Sequence, residues 1–146
     1  MIDGNSLTIR DVVDTGLGLT KVVLSQSARQ KMTSSREAIT EILKDGTVTY
    51  GINTGFGALS SVSIESDKLE QLQANLIRSH ACGIGEPMEN SHTLMMMLIR
   101  ANTLCRGNSG ARPVIVDTLV SMINHGICPV IPRIGSLGAS GDLAPL

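Results

Sequence analysis

The chain has 146 residues, is 42% hydrophobic and 17% charged, and carries a net charge of −1, the profile of one globular domain or part of one. That balance gives no electrostatic pull toward nucleic acid or an anionic membrane, and no apolar run approaches the roughly 20 residues that span a bilayer. Three widely spaced cysteines, Cys82, Cys105 and Cys128, argue against a disulfide framework; without CxxC or paired histidines they form no metal site, and they predict a reducing cytoplasm.

From the N-terminus, Leu7-Thr8-Ile9 and Lys21-Val22-Val23-Leu24 read as short strands or extended segments. The first residues, with Asp3, Asn5 and Arg10, lack the apolar stretch of a signal peptide. Ser25 or Ser27 is placed to cap a helix running to about Lys44, with Ala28, Met32, Ile39, Ile42 and Leu43 on its apolar face and Asp45-Gly46 as its stop. Thr47 to Ala58 holds Gly51, Gly55 and Gly57 together with Asn53, so it reads as a loop. Ser66 opens a second helix, with Asp67 and Glu70 favouring its dipole and Leu69, Leu72, Gln73, Leu76, Ile77 and His80 along one face. Gly83 to Pro87 ends it.

A third helix is predicted from near Ser91 to Arg106, with Leu94, Met97, Leu98, Ala101 and Leu104 inward. Pro113 suits the first position of a fourth, whose face is Ile115, Leu119, Met122 and Ile123 and whose cap is Gly126. Ile127 to Ile134, with Pro129 and Pro132, reads as extended. There is no internal repeat, low-complexity stretch or linker. The fold expected is therefore mainly α, a set of helices joined by Gly-rich loops without an internal boundary. With no Trp, one Tyr and one Phe, its core must be aliphatic and methionine-filled. The chain stops at Leu146, inside a motif and on an apolar residue, which reads as the N-terminal portion of a longer protein.

Few residues carry chemistry. Tyr50 sits in the Gly-rich loop beside Gly51 rather than on an apolar face; with a lowered pKa a tyrosine serves as a general base. His80 lies where the second helix's apolar face runs out, and its ring nitrogens can orient a polar aromatic ligand, although a lone histidine there is more often a satisfied core residue. Asn53 most simply serves its turn. Arg106 and Arg112 flank a polar turn and read as solvated or subunit-bridging more readily than as a carboxylate clamp. The last dozen residues, Gly135-Ser136-Leu137-Gly138-Ala139-Ser140-Gly141-Asp142-Leu143-Ala144-Pro145-Leu146, space three glycines by three. The bland reading is a tight turn, or a phosphate loop that lacks the usual lysine. The sharper one is that Ala139-Ser140-Gly141 is itself a reagent: attack of the Gly141 nitrogen on the Ala139 carbonyl carbon, with loss of water there and from Ser140, gives a conjugated, electron-poor ring.

Three segments taken together, Tyr50 to Gly57, Asn75 to Pro87 and Gly135 to Leu146, resemble the aromatic amino acid ammonia-lyase and aminomutase family. Weaker similarity spans nearly the whole chain, which matches only the N-terminal part of a family member. The resemblance implies a mainly α, aspartase-like helical fold and a methylidene-imidazolone prosthetic group formed from Ala139, Ser140 and Gly141 without an external cofactor. It implies Tyr50 as the base that removes the substrate's β-proton and His80 as a contact to the substrate ring. Asn53, Gly57 and Asp142 are supporting residues, Asp142 beside the prosthetic group. Ser79-His80 is similar to the histidine- and tyrosine-acting members, which implies elimination of ammonia from L-histidine to give urocanate. Tyrosine, for a lyase or an aminomutase, is the alternative, and an assembly-only fragment is a further one. The partners implied are a small amino acid and further copies of the chain in a homotetramer, with no nucleic acid, membrane or metal. Because family sites draw on more than one subunit and on residues past 146, the chain by itself is expected to be inactive.

Overall fold

The computed structural model of the chain describes residues 1–55, 60, 62, 64, 68–135, 137–138 and 141–145. Among them it is mainly α, as expected. In chain order the elements are α1 (Ile9–Gly16), α2 (Gln26–Asp45), α3 (Leu69–His80), β1 (Ile84–Pro87), α4 (Asn90–Leu104), α5 (Pro113–His125), β2 (Pro132–Ile134), β3 (Leu137–Gly138) and β4 (Gly141–Asp142). No helix of the described residues is long and apolar enough to cross a membrane. The chain divides into two compact units, Met1–Ala38 with Met88–Val130 and Ile39–Pro87 with Ile131–Leu146.

In the first unit, Leu7-Thr8-Ile9 is not a strand: Thr8 is extended, as the second alternative had it, and Ile9 already begins α1. Thr8 is the N-cap of α1 in a capping box. Asp11 N donates to Thr8 Oγ1 at 3.2 Å, and Asp11 Oδ2 accepts from Thr8 N at 2.9 Å. Two backbone donors are thus satisfied at once, a stronger instruction than the apolar run of Leu7 and Ile9. Lys21 to Leu24 is extended: Ile2 N donates to Val23 O at 2.8 Å and Ser25 N to Ile2 O at 3.0 Å. The side-chain amide of Asn124 grips the same segment, donating to Val22 O and accepting from Val22 N, each at 2.8 Å. Ser25, not Ser27, caps α2, since Ala28 N donates to Ser25 Oγ at 3.1 Å.

The core of this unit brings together Ile2, Val22, Ala28, Met32, Leu94, Met97, Leu98, Ala101, Cys105, Val116 and Ile123. It is aliphatic, with Met32 and Met97 buried in it, as the near absence of aromatics predicts. Burial pushes the Cys105 thiol up to about 11, with the charge of Asp3 adding to it. Gly16 lets α1 lie close on α4: a Cβ there would fall 2.5 Å from the Met95 side chain and 2.9 Å from Ser91 O. Helix α5 begins with Pro113 and ends with Gly126 in the left-handed conformation. Its buried stripe differs from expectation. Val116 is fully buried while Ile115 is 40% exposed, because 116, 119, 120 and 123 advance by three and four along one face and 115 stands a residue round from it.

In the second unit, α2 ends at Asp45 with Ile39, Ile42 and Leu43 half-buried. Ser66 and Asp67, expected to open the next helix, lie outside the described residues; α3 runs from Leu69 with Glu70 in its first turn. Its half-buried positions are Leu69, Leu72, Ala74, Leu76 and His80, whereas Gln73 and Ile77 are exposed. The predicted stripe was too wide by those two flanking positions. Gly83 to Pro87 ends the helix as expected, and its last four residues go further, forming β1 antiparallel to β2, with Ile84 opposite Ile134 and Pro87 opposite Pro132 across an irregularity. Gly85 makes that irregularity with φ +88°; a Cβ there would also stand 3.2 Å from the Ile134 Cδ1.

Candidate functional site

The three motif segments all fall in the second unit. The first is a loop that folds on Asn53, which is 6% exposed. Asn53 Oδ1 accepts from Thr49 N at 2.8 Å and Nδ2 donates to Thr47 O at 2.9 Å. Its own backbone N donates to Thr49 O at 3.2 Å and its carbonyl accepts from Ile64 N at 2.8 Å. Every polar group of the residue is therefore used to close the loop, which is the turn-serving role the sequence suggests. Thr54 is buried alongside, donating to Gly55 O at 2.9 Å. With its base pinned in this way the loop presents Tyr50 at 63% exposure. Gly57 lies outside the described residues.

The second segment is the C-terminal turn of α3 and the strand after it. His80 is half-buried at the helix end. Its Nδ1 lies 2.8 Å from Leu76 O and 3.0 Å from Ser79 Oγ, and Ser79 Oγ in turn donates to Leu76 O at 2.8 Å. Cys82, exposed, follows with its thiol 3.5 Å from His80 O. Sequence reasoning missed the Leu76 carbonyl and Thr54 as organising groups. A serine directly before a histidine in a helix's last turn was the available signal for the first, and a threonine between glycine-rich steps for the second.

The third segment begins directly after β2. Because β2 pairs with β1, the start of the glycine series is tied to the strand that leaves the His80 helix; Arg133 Nε adds a bond to Pro87 O at 3.3 Å. β3 then pairs with β4 antiparallel, with Leu137 opposite Asp142 and Gly138 opposite Gly141. Ala139 and Ser140 connect these strands in the sequence and lie outside the described residues. For Gly141 and Asp142 the backbone alone is described. The backbone is thus paired on either side of residues 139 and 140, and the expected tight turn itself lies outside the described residues.

An open hollow of about 850 Å³ occurs in the first unit, lined by Ser27, Lys31, Ser34 and Arg106 among others. None of its lining residues belongs to the motif segments. Arg112, exposed, is the N-cap of α5, and Arg106 is exposed.

Comparison with known proteins agrees with this arrangement. Residues 7–146 match the family model described as aromatic amino acid lyase. Over all 146 residues the chain is 51% identical to histidine ammonia-lyase of Caldanaerobacter subterraneus subsp. tengcongensis, and this covers 29% of that relative's length. Histidine ammonia-lyase from Trypanosoma cruzi superposes with a TM-score of 0.87 at 38% identity, over 99% of this chain and 27% of that one. Tyrosine aminomutase from Streptomyces globisporus superposes with a TM-score of 0.88 at 35% identity, over 98% and 27%. The chain therefore spans less than a third of the length of the relatives it matches. With the helical fold, the three motif segments and a family match over nearly its whole length, the chain belongs to the aromatic amino acid lyase family.

Proposed function

We propose that the protein to which this chain contributes eliminates ammonia from an aromatic L-amino acid, with L-histidine giving urocanate. The observation that carries this reading is the pairing of Gly138 with Gly141. It brings the backbone before Ala139 alongside the backbone after Ser140, which supports closure of Ala139-Ser140-Gly141 into a methylidene-imidazolone. When formed, that group supplies an electrophile that makes the substrate nitrogen a better leaving group. Its precursors are Ala139, Ser140 and Gly141: the Gly141 nitrogen bonds to the Ala139 carbonyl carbon, whose oxygen leaves as water, and Ser140 loses its hydroxyl as a second water.

The chain's other residues divide the remaining work. Tyr50, on the loop closed by Asn53, acts as the phenolate, whose oxygen takes the β-proton. His80 contacts the substrate ring. Asp142, directly after the precursor, assists placement of the group, and Asn53 and Gly57 are supporting residues of the Tyr50 loop. The α-amine leaves as ammonia and the β-proton as a proton, so the product is the unsaturated acid. Similarity to histidine ammonia-lyases at 51% identity over the whole chain supports histidine over tyrosine. Site assembly in the family's tetrameric manner, in the cytoplasm, completes the reading. It also means that the 146-residue chain alone is inactive.

The test is turnover of histidine, tyrosine and phenylalanine by the gene product that carries this chain, followed by absorbance of the conjugated product. Histidine is expected to react fastest, and Ser140→Ala is expected to lower the rate by on the order of a thousandfold or more. Intact mass of the unsubstituted protein should be lower than the sequence mass by the waters lost. Full activity in Ser140→Ala, or no turnover of any of the three, overturns the assignment.

A further inference from the structure

The loop that carries Tyr50 is held at the backbone amides on both sides of that residue. On one side, Thr49 N donates to Asn53 Oδ1 at 2.8 Å. On the other, Gly51 N donates to Thr54 Oγ1 at 3.3 Å. Two consecutive side chains, Asn53 and Thr54, thus take the amides that bracket Tyr50. Gly51 stands in the left-handed region at φ +76°, and a Cβ there would meet nothing within 4 Å. Glycine is therefore required at 51 by its backbone angle rather than by crowding. A glycine left to itself samples both signs of φ, so the turn after Tyr50 needs a further tie to stay in one form.

Thr54 supplies that tie. It is 1% exposed, and its hydroxyl is used twice: the oxygen accepts from Gly51 N, and its proton goes to Gly55 O at 2.9 Å. Gly55 N in turn donates to Val62 O at 3.1 Å, so the tie leads out of the turn into the chain beyond it. A buried hydroxyl with both roles filled keeps one geometry, since breaking either bond leaves a polar group unpaired away from water. Tyr50 itself is 63% exposed. A ring so open gains little aim from packing, which leaves the aim to the set of its backbone.

We propose that Thr54 is a positioning residue whose buried hydroxyl clasps the turn at Gly51 and so aims the Tyr50 oxygen at the substrate's β-proton. This rests on Tyr50 being the base of the proposed lyase. The clasp acts on proton removal and not on substrate binding. A reacting group displaced by about 1 Å loses on the order of a hundredfold in rate.

The experiment compares Thr54→Val, which nearly keeps the shape and loses the hydroxyl, with Thr54→Ser, which keeps the hydroxyl, in the gene product that carries this chain. With histidine, kcat should fall about tenfold or more in Thr54→Val while KM stays within about twofold, and Thr54→Ser should recover most of the rate. Histidine deuterated at the β-carbon should show an isotope effect on kcat in Thr54→Val at least as large as in the unsubstituted protein. Amide hydrogen exchange at Gly51 should speed up in Thr54→Val and not in Thr54→Ser. An unmoved kcat, a loss confined to KM or a smaller isotope effect overturns the proposal, as does Thr54→Ser behaving like Thr54→Val. Should Thr54→Val not fold, Gly51→Ala reaches the same turn through φ alone, and full activity in it overturns the proposal. Should the unsubstituted protein turn over no amino acid, the lyase reading fails by itself. Unchanged Gly51 exchange in Thr54→Val then overturns the clasp, and faster exchange upholds it.

Discussion

The two compact units of the chain are held together by different physics. In the first, apolar side chains from α2, α4 and α5 interlock: Met32, Leu98 and Val116 are all but fully buried. In the second, the described buried residues are Asn53, Thr54, Gly55 and Ile131, and α3 has no fully buried side chain. Hydrogen bonds close its first loop and strand pairs hold its end. Ile77, Ile84 and Ile134 stand exposed at 70%, 67% and 57%. The unit with little core of its own carries every motif residue. Catalytic groups commonly ride on loops fixed by a scaffold, since regular packed elements leave little freedom to aim a side chain. Here the fixing is by polar closure rather than by bulk.

That contrast can be broken from either side. The largest effect should come from Leu98→Ala in the first unit, which empties the centre of the α4 face and should cost about 2–5 kcal/mol in denaturant unfolding. A cost well under 1 kcal/mol would mean that the apolar core is not what holds this unit. In the second unit, Asn53→Ala removes the side-chain bonds to Thr47 and Thr49. It should cost about 1–3 kcal/mol for the buried groups left unpaired. Hydrogen exchange should speed up at Thr49 and Ile64 while the amides of α4 stay protected. Equal acceleration in both places would erase the distinction between the units.

The smallest effect is expected at the start of α1. Thr8→Ala removes the cap and should lower stability by about 1 kcal/mol. It should also flatten an acid limb. The hydrogen bonds from Thr8 hold the Asp11 carboxyl below its ordinary range. The folded pKa is thus depressed, so the stability it adds is present above the unfolded carboxylate pKa, about 3.9, and is lost as pH falls through the lowered value. Unfolding titrations of the two proteins should therefore converge at low pH and separate toward neutrality. Separation that persists undiminished at low pH would show the cap acting without Asp11.

Much of the fold was legible from local pattern. The four longer helices lie close to where their spacing, proline and glycine signals put them, since those signals act over a few residues. The misses share one cause. At Thr8-x-x-Asp11 the capping geometry outweighs the apolar neighbours, and on α3 and α5 the buried faces differ by a position from the predicted ones because periodicity fixes a stripe but not its exact phase against a partner. The strand β1 was unforeseen because its partner β2 lies some 45 residues away in sequence, and a short run such as Ile-Gly-Glu-Pro has no strand signal of its own.

By itself the sequence determined the mainly helical class, the aliphatic core and the three motif segments that mark the family, because each depends on residue type at short range. Tertiary structure alone decided that the motifs gather in one unit, that β1 against β2 ties the His80 helix to the start of the glycine series, and that Gly138 sits opposite Gly141. Each of these joins backbone segments that are apart in the chain, and no short-range pattern of residue types specifies such a meeting.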